Sequence, residues 1–272
     1  MSKELSLIAA SAKPQTRENL GEDLRGLGVE PGMTLLVHSS LSKLGWVCGG
    51  AVAVVQALMD VLTPKGTLIM PTHTTHYSDP AYWEAPAVPE SWWETIRNTM
   101  PAFDRDYTAS FFMGAIPETF RQFPDVIRSN HPQVSFAAWG EQATEITSNH
   151  SLHYGLSEES PLGKIYEAKG MVLLLGVGYE NNTSFHLSEY RSKVRPVIKN
   201  GAPIWKDGVR IWQEIEDLDI DSERFAEIGI LMEQQVEVTK GKVGSADAIL
   251  FQQRAAVDFA TTWFKHTYKE WE

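Results

Sequence analysis

The sequence has a single cysteine and no long apolar run. Because Cys48 is the only cysteine among 272 residues, an internal disulfide and a cysteine-based zinc cluster are excluded. No stretch approaches the roughly 20 apolar residues of a membrane-spanning helix, and the first residues are too weakly apolar for a signal peptide. The cysteine count also fits a reducing compartment. We therefore expect a cytoplasmic protein.

Basic residues are scarce as well. The chain has 24 Lys and Arg against 35 Asp and Glu, which gives a formal net charge of −11. Phosphate backbones are held by clusters of Lys and Arg, so this balance argues against a nucleic-acid partner. An acidic surface suits a cationic small molecule, although many proteins are acidic only for solubility.

Complete nucleotide and metal motifs are also missing. The loop 39–50 is not a G-x-x-x-x-G-K-[ST] phosphate loop, and the turn after Val177 lacks the third glycine of a dinucleotide fingerprint. The spacings of the histidines match no H-E-x-x-H or similar pattern, so we expect no metal. Nucleoside triphosphate hydrolysis and zinc chemistry are therefore not indicated.

The apolar pattern predicts an α/β protein. Thr16 caps a short leading helix, Met33 to His38 reads as a strand buried on both faces, and Ala51 to Leu62 is a strong helix former. With the following strand, Thr67 to Met70, this makes a βαβ unit with a parallel pair. We expect a single domain over residues 1–272 with a mostly parallel central sheet flanked by helices, long loops and smaller C-terminal strands.

Two later segments complete this interpretation. Met171 to Val177 is a second strong buried strand, and residues 246–268 have Ala, Phe and Leu at helical spacing, so we expect a C-terminal helix there. Residues 71–107 are aromatic and proline-rich without a clear period, which is typical of a functional loop.

A histidine and a glutamate follow the second strand. In a helix, His186 and Glu189 share a face, so imidazole and carboxylate can meet. A carboxylate on one ring nitrogen fixes the tautomer and leaves the other nitrogen to act as a general base. On spacing alone, a surface pair that contributes about 0.2–0.5 kcal/mol is the more common outcome.

The loop after the first strand has the composition of an anion site. Ser39 and Ser40 offer hydroxyl groups, Gly45, Gly49 and Gly50 permit close approach, and the next helix presents unpaired N–H groups. A tight connection between strand and helix explains the same residues.

Six stretches in order resemble the aminoglycoside 3-N-acetyltransferase family over about Thr16 to Trp263. They are LLVHSSLSKLGWVCGG, GTLIMPTHT, PAFDRDYTASFFMGAIPETFR, RSNHPQVSFAAWG, SPLGKIYEAKGMVLLLGVGYENNTSFHLSEYR and GSADAILF. The resemblance implies an α/β fold distinct from the GCN5-related acetyltransferases. It also implies acetyl transfer from acetyl-coenzyme A to an amine of 2-deoxystreptamine, with no metal.

The resemblance also implies residue roles. His186 would be the base, with His131 as second candidate, and Glu189 would orient His186 or hold the substrate ammonium. The coenzyme would be held by His38, Ser39, Ser40, Leu41, Gly45, Gly49, Gly50, Ser110 and Phe112. The acceptor would be bound by Asp104, Tyr77, Trp83 and Trp92.

Three alternatives stay open. The first is an acyltransferase of the same fold that acts on another amine, and the second is a thioester hydrolase. The third, a coenzyme-binding protein without activity, fits poorly because both His186 and Glu189 are present. We expect direct transfer in a ternary complex, because no activated Cys or Ser stands out, and either a monomer or a homodimer.

Overall fold

The computed structural model describes residues 3–11 and 13–268. Its strands are β1 (Thr34–Ser39), β2 (Thr67–Pro71), β3 (Ile127–Arg128), β4 (Phe136–Gly140), β5 (Met171–Leu175), β6 (Val197–Lys206), β7 (Val209–Leu218), β8 (Val238–Val243) and β9 (Ala246–Gln252). Its helices are α1 (Lys3–Ala10), α2 (Arg17–Gly26), α3 (Gly50–Leu62), α4 (Trp93–Thr99), α5 (Ala115–Phe120), α6 (Ala143–Thr147), α7 (Pro161–Glu167), α8 (Ser184–Ser192), α9 (Phe225–Met232) and α10 (Gln253–Thr267).

Seven strands form one mixed sheet in the order β3-β4-β2-β1-β5-β9-β8. This confirms the α/β class. The strands are parallel only at the centre, where β1 lies between β2 and β5. All other neighbours are antiparallel, so the expectation of a mostly parallel sheet is corrected. The βαβ pattern identified the centre, but it carries no information on β4, β8 and β9, which join the sheet in antiparallel pairs and so need no crossover connection of the βαβ type.

The C-terminal helix begins later than the sequence predicts. Residues 246–252 form β9, which pairs with both β5 and β8, and α10 begins only at Gln253. A short apolar run fits strand and helix equally well by periodicity. The free edge of β5 decides the outcome, because it offers a full ladder of hydrogen bonds to this run.

The central strands bury side chains on both faces. Alternate residues of β1, β2 and β5 point to opposite sides, as expected for extended chain. One side packs on α2 and α3 in a cluster that includes Leu35, Leu68 and Leu173. The other side, with Leu36, Ile69 and Val172, packs against Phe185, Phe225 and Phe264 of α8, α9 and α10. This second layer fixes α8 on the sheet.

The hairpin β6–β7 forms a separate two-stranded sheet. It is tied to the long loops, since Phe103 donates its N–H to Pro203 O and Tyr154 donates to Glu216 O. The side chain of Gln133 also donates to Gly201 O. In the described part of the chain, no helix is long and apolar enough to cross a membrane.

Candidate active site

A pocket opens where β1, β2 and β5 end. Parallel strands bring their carboxyl ends to one edge, the usual place for a site in α/β folds. The cavity has a volume of about 180 Å³ and is lined by His38 and Ser39 at the end of β1, Pro71 at the end of β2, and Thr183 and His186 after β5. The sequence-predicted histidine and the first residues of the predicted anion loop therefore share one pocket.

His186 and Glu189 form the pair that their spacing predicts. Both residues lie on α8, and His186 Nδ1 lies 2.6 Å from Glu189 Oε2. The other ring nitrogen, Nε2, makes no hydrogen bond to a described residue, and His186 lines the pocket. The imidazole also packs edge-on against Phe225, with ring centroids 4.7 Å apart. The pair therefore has the geometry of an oriented base.

Glu189 is fully buried, at 0% exposure. Its Oε1 accepts hydrogen bonds from Arg195 Nε at 2.7 Å and from the Asp221 backbone N–H at 3.0 Å. A carboxylate enclosed in this way cannot reach an ammonium group in the pocket. Of the two roles that the sequence left open, the structure therefore favours orientation of His186 over contact with the acceptor.

Two neutral histidines lie near His186. Burial, together with the charge of His186, lowers the pKa of His38 to about 3. Burial and the same neighbour lower the pKa of His73, which follows β2, to about 3 as well. The Nε2 atoms of both rings and the Ser39 hydroxyl are buried without a partner among the described residues. Of these three histidines, His186 is the one that contacts a described carboxylate.

The loop between β1 and α3 has the conformation of an anion cradle. Gly45, Gly49 and Gly50 all have positive φ, at 86°, 85° and 57°, which glycine adopts at little cost. Helix α3 starts at Gly50 without a side-chain cap. The Gly50 N–H donates to Val47 O, and the N–H groups of the next residues have no partner within the helix. Leu41 packs against the core beneath this loop.

Polar side chains border the same loop. The Ser40 hydroxyl lies 3.3 Å from that of Ser42. Lys43 is exposed and forms no ion pair with any described residue. Cys48 is exposed near the start of α3 and does not line the pocket that holds His186.

Phe112 stands at the mouth of the pocket in an unusual conformation. It is 87% exposed and has a φ of 56°, a region that bulky residues avoid. Ser110 is fixed by Glu118, whose Oε2 accepts from its N–H at 2.9 Å and from its hydroxyl at 2.6 Å. Although burial opposes ionisation, hydrogen bonds from Arg121 and Ser110 lower the pKa of Glu118 to about 2.

Aromatic rings connect Phe112 to Tyr77. Centroid distances are 4.2 Å from Phe112 to Phe111, 4.4 Å from Phe111 to His76 and 4.9 Å from His76 to Tyr77. Phe103 then follows Tyr77 at 6.3 Å. The resemblance implied a coenzyme role for Phe112 and an acceptor role for Tyr77. Both residues belong to one aromatic wall, and Phe112 is at the end of this wall that borders the pocket.

His131 is not placed to act as a base. It is fully buried, its Nδ1 accepts the N–H groups of Gln133 and Val134, and its Nε2 lies 3.3 Å from Leu152 O. Burial, with His150 next to it, lowers the pKa of His131 well below its usual value. The alternative of His131 as second base is therefore corrected, because neither nitrogen is open to a substrate.

Besides Tyr77, three predicted acceptor residues are absent from the pocket lining. Asp104 borders a different cavity with Arg105, Asp106 and Trp205. The Trp83 indole donates to Ser78 Oγ at 2.9 Å, and Trp92 is 57% exposed. The structure therefore separates these side chains from His186. In the described part of the chain, no three His, Cys, Asp or Glu side chains converge as metal ligands.

Among the lining residues that the sequence did not predict, four come from two segments. Glu180 and Asn181 lie on the turn after β5, Ser222 lies just before α9, and Phe225 is the first residue of α9. The position of the turn after a buried strand was a usable signal for the first two. The other two have no motif in the sequence, because they reach the pocket only through the packing of α9 on α8.

Comparisons with known proteins agree with one another. The family model described as aminoglycoside 3-N-acetyltransferase matches residues 36–265. The SPbeta prophage-derived aminoglycoside N(3')-acetyltransferase-like protein YokD of Bacillus subtilis is 48% identical and the match covers 95% of each chain. Aminoglycoside N(3)-acetyltransferase VII of Streptomyces paromomycinus is 34% identical over 96% of each chain. Among solved structures, the binary complex of AAC-IIIb with CoASH superposes with a TM-score of 0.84 at 28% identity, covering 94% of this chain and 98% of that one.

Proposed function

This chain belongs to the aminoglycoside 3-N-acetyltransferase family and is an acyltransferase, and we propose that it acetylates the 3-amino group of 2-deoxystreptamine aminoglycosides. Acetyl-coenzyme A is the donor and His186 is the general base. The observation that carries this proposal is the 2.6 Å contact of His186 Nδ1 with buried Glu189 at the edge of a pocket. The similarity to a coenzyme A complex supports the donor.

The reaction needs an uncharged amine, because an ammonium group has no lone pair. Nε2 of His186 accepts one proton as the amine nitrogen attacks the thioester carbonyl carbon, and Glu189 stabilises the resulting imidazolium. A C–N bond forms, and the C–S bond then breaks. The proton held by His186 is returned to the departing thiolate, so the base is restored.

Negative charge develops on the carbonyl oxygen during this attack. Thr183 lines the pocket and precedes α8, but its hydroxyl does not cap the helix. The hydroxyl of a threonine at this position usually accepts a hydrogen bond from a backbone N–H of the first helical turn. This hydroxyl and the positive end of the α8 dipole are therefore our candidates for oxyanion stabilisation. Ser110 is less suitable, since its hydroxyl is bonded to Glu118.

The cradle between β1 and α3 suits the coenzyme. The residues from His38 to Gly50 border the pocket at Ser39 and lead away along the positive-φ glycines. Backbone N–H groups at the start of α3 fit the pyrophosphate, and exposed Lys43 adds a positive charge. We also propose that the reaction takes place in the cytoplasm, because a chain with a single cysteine fits a reducing compartment.

Acidic residues in and near the pocket suit a polycationic acceptor. Glu180 lines the pocket, and Ser222 lies within an acidic segment, residues 214–223. Negative potential along such a path attracts cations and speeds their encounter. Asp104 remains a candidate for a more distant amine, because its cavity is separate from the reaction pocket.

One assay tests the proposal and separates its rivals. Free thiol released from acetyl-coenzyme A is followed with and without a panel of 2-deoxystreptamine aminoglycosides. We expect release that depends on the acceptor. Release without an acceptor would indicate a hydrolase, and release only with other amines would indicate a different acceptor class. An acetyl group trapped on Cys48 or on a serine would contradict direct transfer.

The base is tested by substitution. His186→Ala should lower the rate of transfer by about 10²–10⁴ while coenzyme A still binds, and Glu189→Gln should also lower it. His266→Ala is the matched control, because His266 is exposed on α10 and lies outside the pocket. If His186→Ala keeps a rate within threefold of the parent, the base assignment is wrong.

A further inference from the structure

Glu189 has a second cationic neighbour besides His186, and we infer that this neighbour, Arg195, is a positioning residue of the reaction. It holds the Glu189 carboxylate from the side opposite to His186, so that one oxygen remains dedicated to the imidazole. This inference rests on the proposed role of His186 as base. It assigns to the site a residue that does not touch substrate and that acts through Glu189.

The chain folds back to bring Arg195 into this place. Helix α8 ends at Ser192, and Lys193 adopts a left-handed conformation with φ 59° and ψ 30°. This reverses the chain direction, so that Arg195, six residues after Glu189, reaches the same carboxylate at 2.7 Å. Its side chain is only 13% exposed. A guanidinium in such a position has little freedom to choose another partner.

Further contacts hold the guanidinium in place. Arg195 Nη2 lies 3.2 Å from Asp221 Oδ2 and 3.3 Å from Asp221 O. Its Cζ lies 5.3 Å from the ring centroid of Tyr268, in cation–π geometry. Asp221 completes the arrangement, because its own N–H donates to Glu189 Oε1. The two oxygens of Glu189 thus have separate tasks, one for Arg195 and Asp221 and the other for His186.

This division of tasks affects the strength of the base. A buried carboxylate is costly unless it is paired. If His186 were the only cation within reach, Glu189 would favour the protonated imidazole, which cannot accept a proton from the amine. Arg195 supplies a permanent positive charge at Glu189 Oε1, so the carboxylate has a cationic partner that does not depend on His186. The expected result is an imidazole that stays oriented and is free to accept the proton from the amine.

Other charged groups also face this region. His38 of β1 and His73 after β2 interact electrostatically with His186, but both rings are neutral because their pKa values are about 3. Asp217 of β7 interacts with His186 as well, and Glu180 lines the same pocket. Removing Arg195 leaves all these groups in place. A change in the pH profile therefore reports on the Arg195 charge.

The test compares three substitutions. Arg195→Met removes charge and donor, Arg195→Gln keeps a donor without charge, and Arg195→Lys keeps the charge. For Arg195→Met and Arg195→Gln, we expect the acid limb of kcat/KM against pH to move upward by about one unit. At the pH where kcat/KM of the parent is half its maximum, such a shift lowers kcat/KM about fivefold. At a pH about two units higher, kcat/KM hardly changes. Arg195→Lys should restore most of the parent profile.

A second measurement does not depend on activity. The imidazole of His186 is titrated by NMR in the unliganded protein, with the signal assigned through His186→Asn. Its midpoint should move upward in Arg195→Met and Arg195→Gln. Arg191→Met is the matched control, because Arg191 also lies on α8 but pairs with Glu158 and stacks on Tyr166. It should leave both the midpoint and the acid limb unchanged.

The outcomes separate the two claims. If Arg195→Met is folded by circular dichroism and neither the acid limb nor the NMR midpoint moves, the inference about Arg195 is overturned while the base assignment stands. If His186→Ala remains active, the base assignment fails, and the NMR result alone then decides whether Arg195 acts on His186. A shift of equal size in Arg191→Met would also overturn the inference.

Discussion

A single residue at the pocket mouth, Phe112, has a backbone conformation that lowers the stability of the folded protein. A bulky residue in the left-handed region costs about 1–2 kcal/mol, and Phe112 is too exposed to regain this cost by burial. Strained residues of this kind are concentrated at functional sites. Its position beside the reaction pocket gives a reason for the strain.

Phe112→Gly tests this explanation, because glycine takes a positive φ at little cost. Relief of this strain exceeds the entropy cost of glycine, so we expect the free energy of unfolding to rise by about 0.5–1 kcal/mol in urea titrations, while KM for acetyl-coenzyme A or the acceptor increases several-fold. Phe111→Gly is the control and should destabilise, since Phe111 packs against His76 and has no positive φ. A stable Phe112→Gly variant with unchanged kinetics would refute a role in binding.

Ser39 gives a second prediction at this scale. Its hydroxyl is buried without a partner among the described residues, which is costly unless a ligand provides one. Ser39→Ala combined with Ser40→Ala should weaken coenzyme A binding about tenfold in calorimetry without loss of stability. Ser148→Ala is the control, because Ser148 follows α6 and lies outside the pocket. If the double variant and the Ser148→Ala control both bind coenzyme A as tightly as the parent, these two serines are not part of the coenzyme site.

The sequence could predict some of these contacts and not others. The spacing of His186 and Glu189 predicts their contact, because three residues along a helix return to one face. It does not predict the contact of Arg195 with Glu189, which depends on a left-handed turn at Lys193, a residue type with no preference for it. The Asp221 contact is made by backbone and leaves no trace in residue identity.

Among the elements, α9 determines where one wall of the pocket lies. Gly229 of α9 faces the ring of Tyr179, and a Cβ there would lie far inside van der Waals contact. Tyr179 is 5% exposed, and its hydroxyl donates to Glu233 Oε1 at 2.9 Å. The turn that carries Glu180 and Asn181 is therefore seated against a helix at a position without a side chain.

Gly229→Ala should move this turn. Overpacking typically costs about 1–3 kcal/mol, so we expect lower stability in chemical denaturation and slower acetyl transfer. Gly26→Ala on α2 is the matched control, because no heavy atom lies within 4 Å of the place that the new methyl group would take, and the φ of Gly26 is not positive. It should leave activity unchanged. A Gly229→Ala variant as stable and as fast as the parent would contradict this packing role.

The sequence also predicted elements unequally. The β1–α3–β2 unit and β5 were identified because their strands are short apolar runs and a strong helix former separates the first two. Strand β9 was missed because its choice between strand and helix depends on the free edge of β5, which lies far earlier in the chain. Strand direction at the sheet edges has the same tertiary origin.

For the whole molecule, buried neutral histidines predict sensitivity to acid. Burial lowers the pKa of His38 and His73 to about 3, of His150 to about 4 and of His131 well below its usual value. In the unfolded chain these groups bind protons near pH ~6.5. The unfolded state therefore takes up more protons below that pH, and stability is complete only above it.

We expect the free energy of unfolding to fall as the pH drops from about 6.5 toward about 4. Each of these histidines contributes a slope of up to about 1.4 kcal/mol per pH unit. Urea titrations between about pH 5 and 8 measure the slope. His150→Gln should reduce this slope by the contribution of about one bound proton. His266→Gln, on the surface, should leave the slope unchanged. A stability that is flat down to about pH 5 would contradict the assignment of these rings as neutral.

The contact between the Asp221 N–H and Glu189 has a consequence for laboratory evolution of acceptor range. The segment before α9 borders the pocket and is a natural place for randomisation. Almost every substitution at position 221 keeps the backbone N–H that donates to Glu189. Proline alone removes it. Libraries that exclude proline at position 221 should therefore retain an oriented base, whereas clones that carry it should be inactive whichever acceptor they are offered.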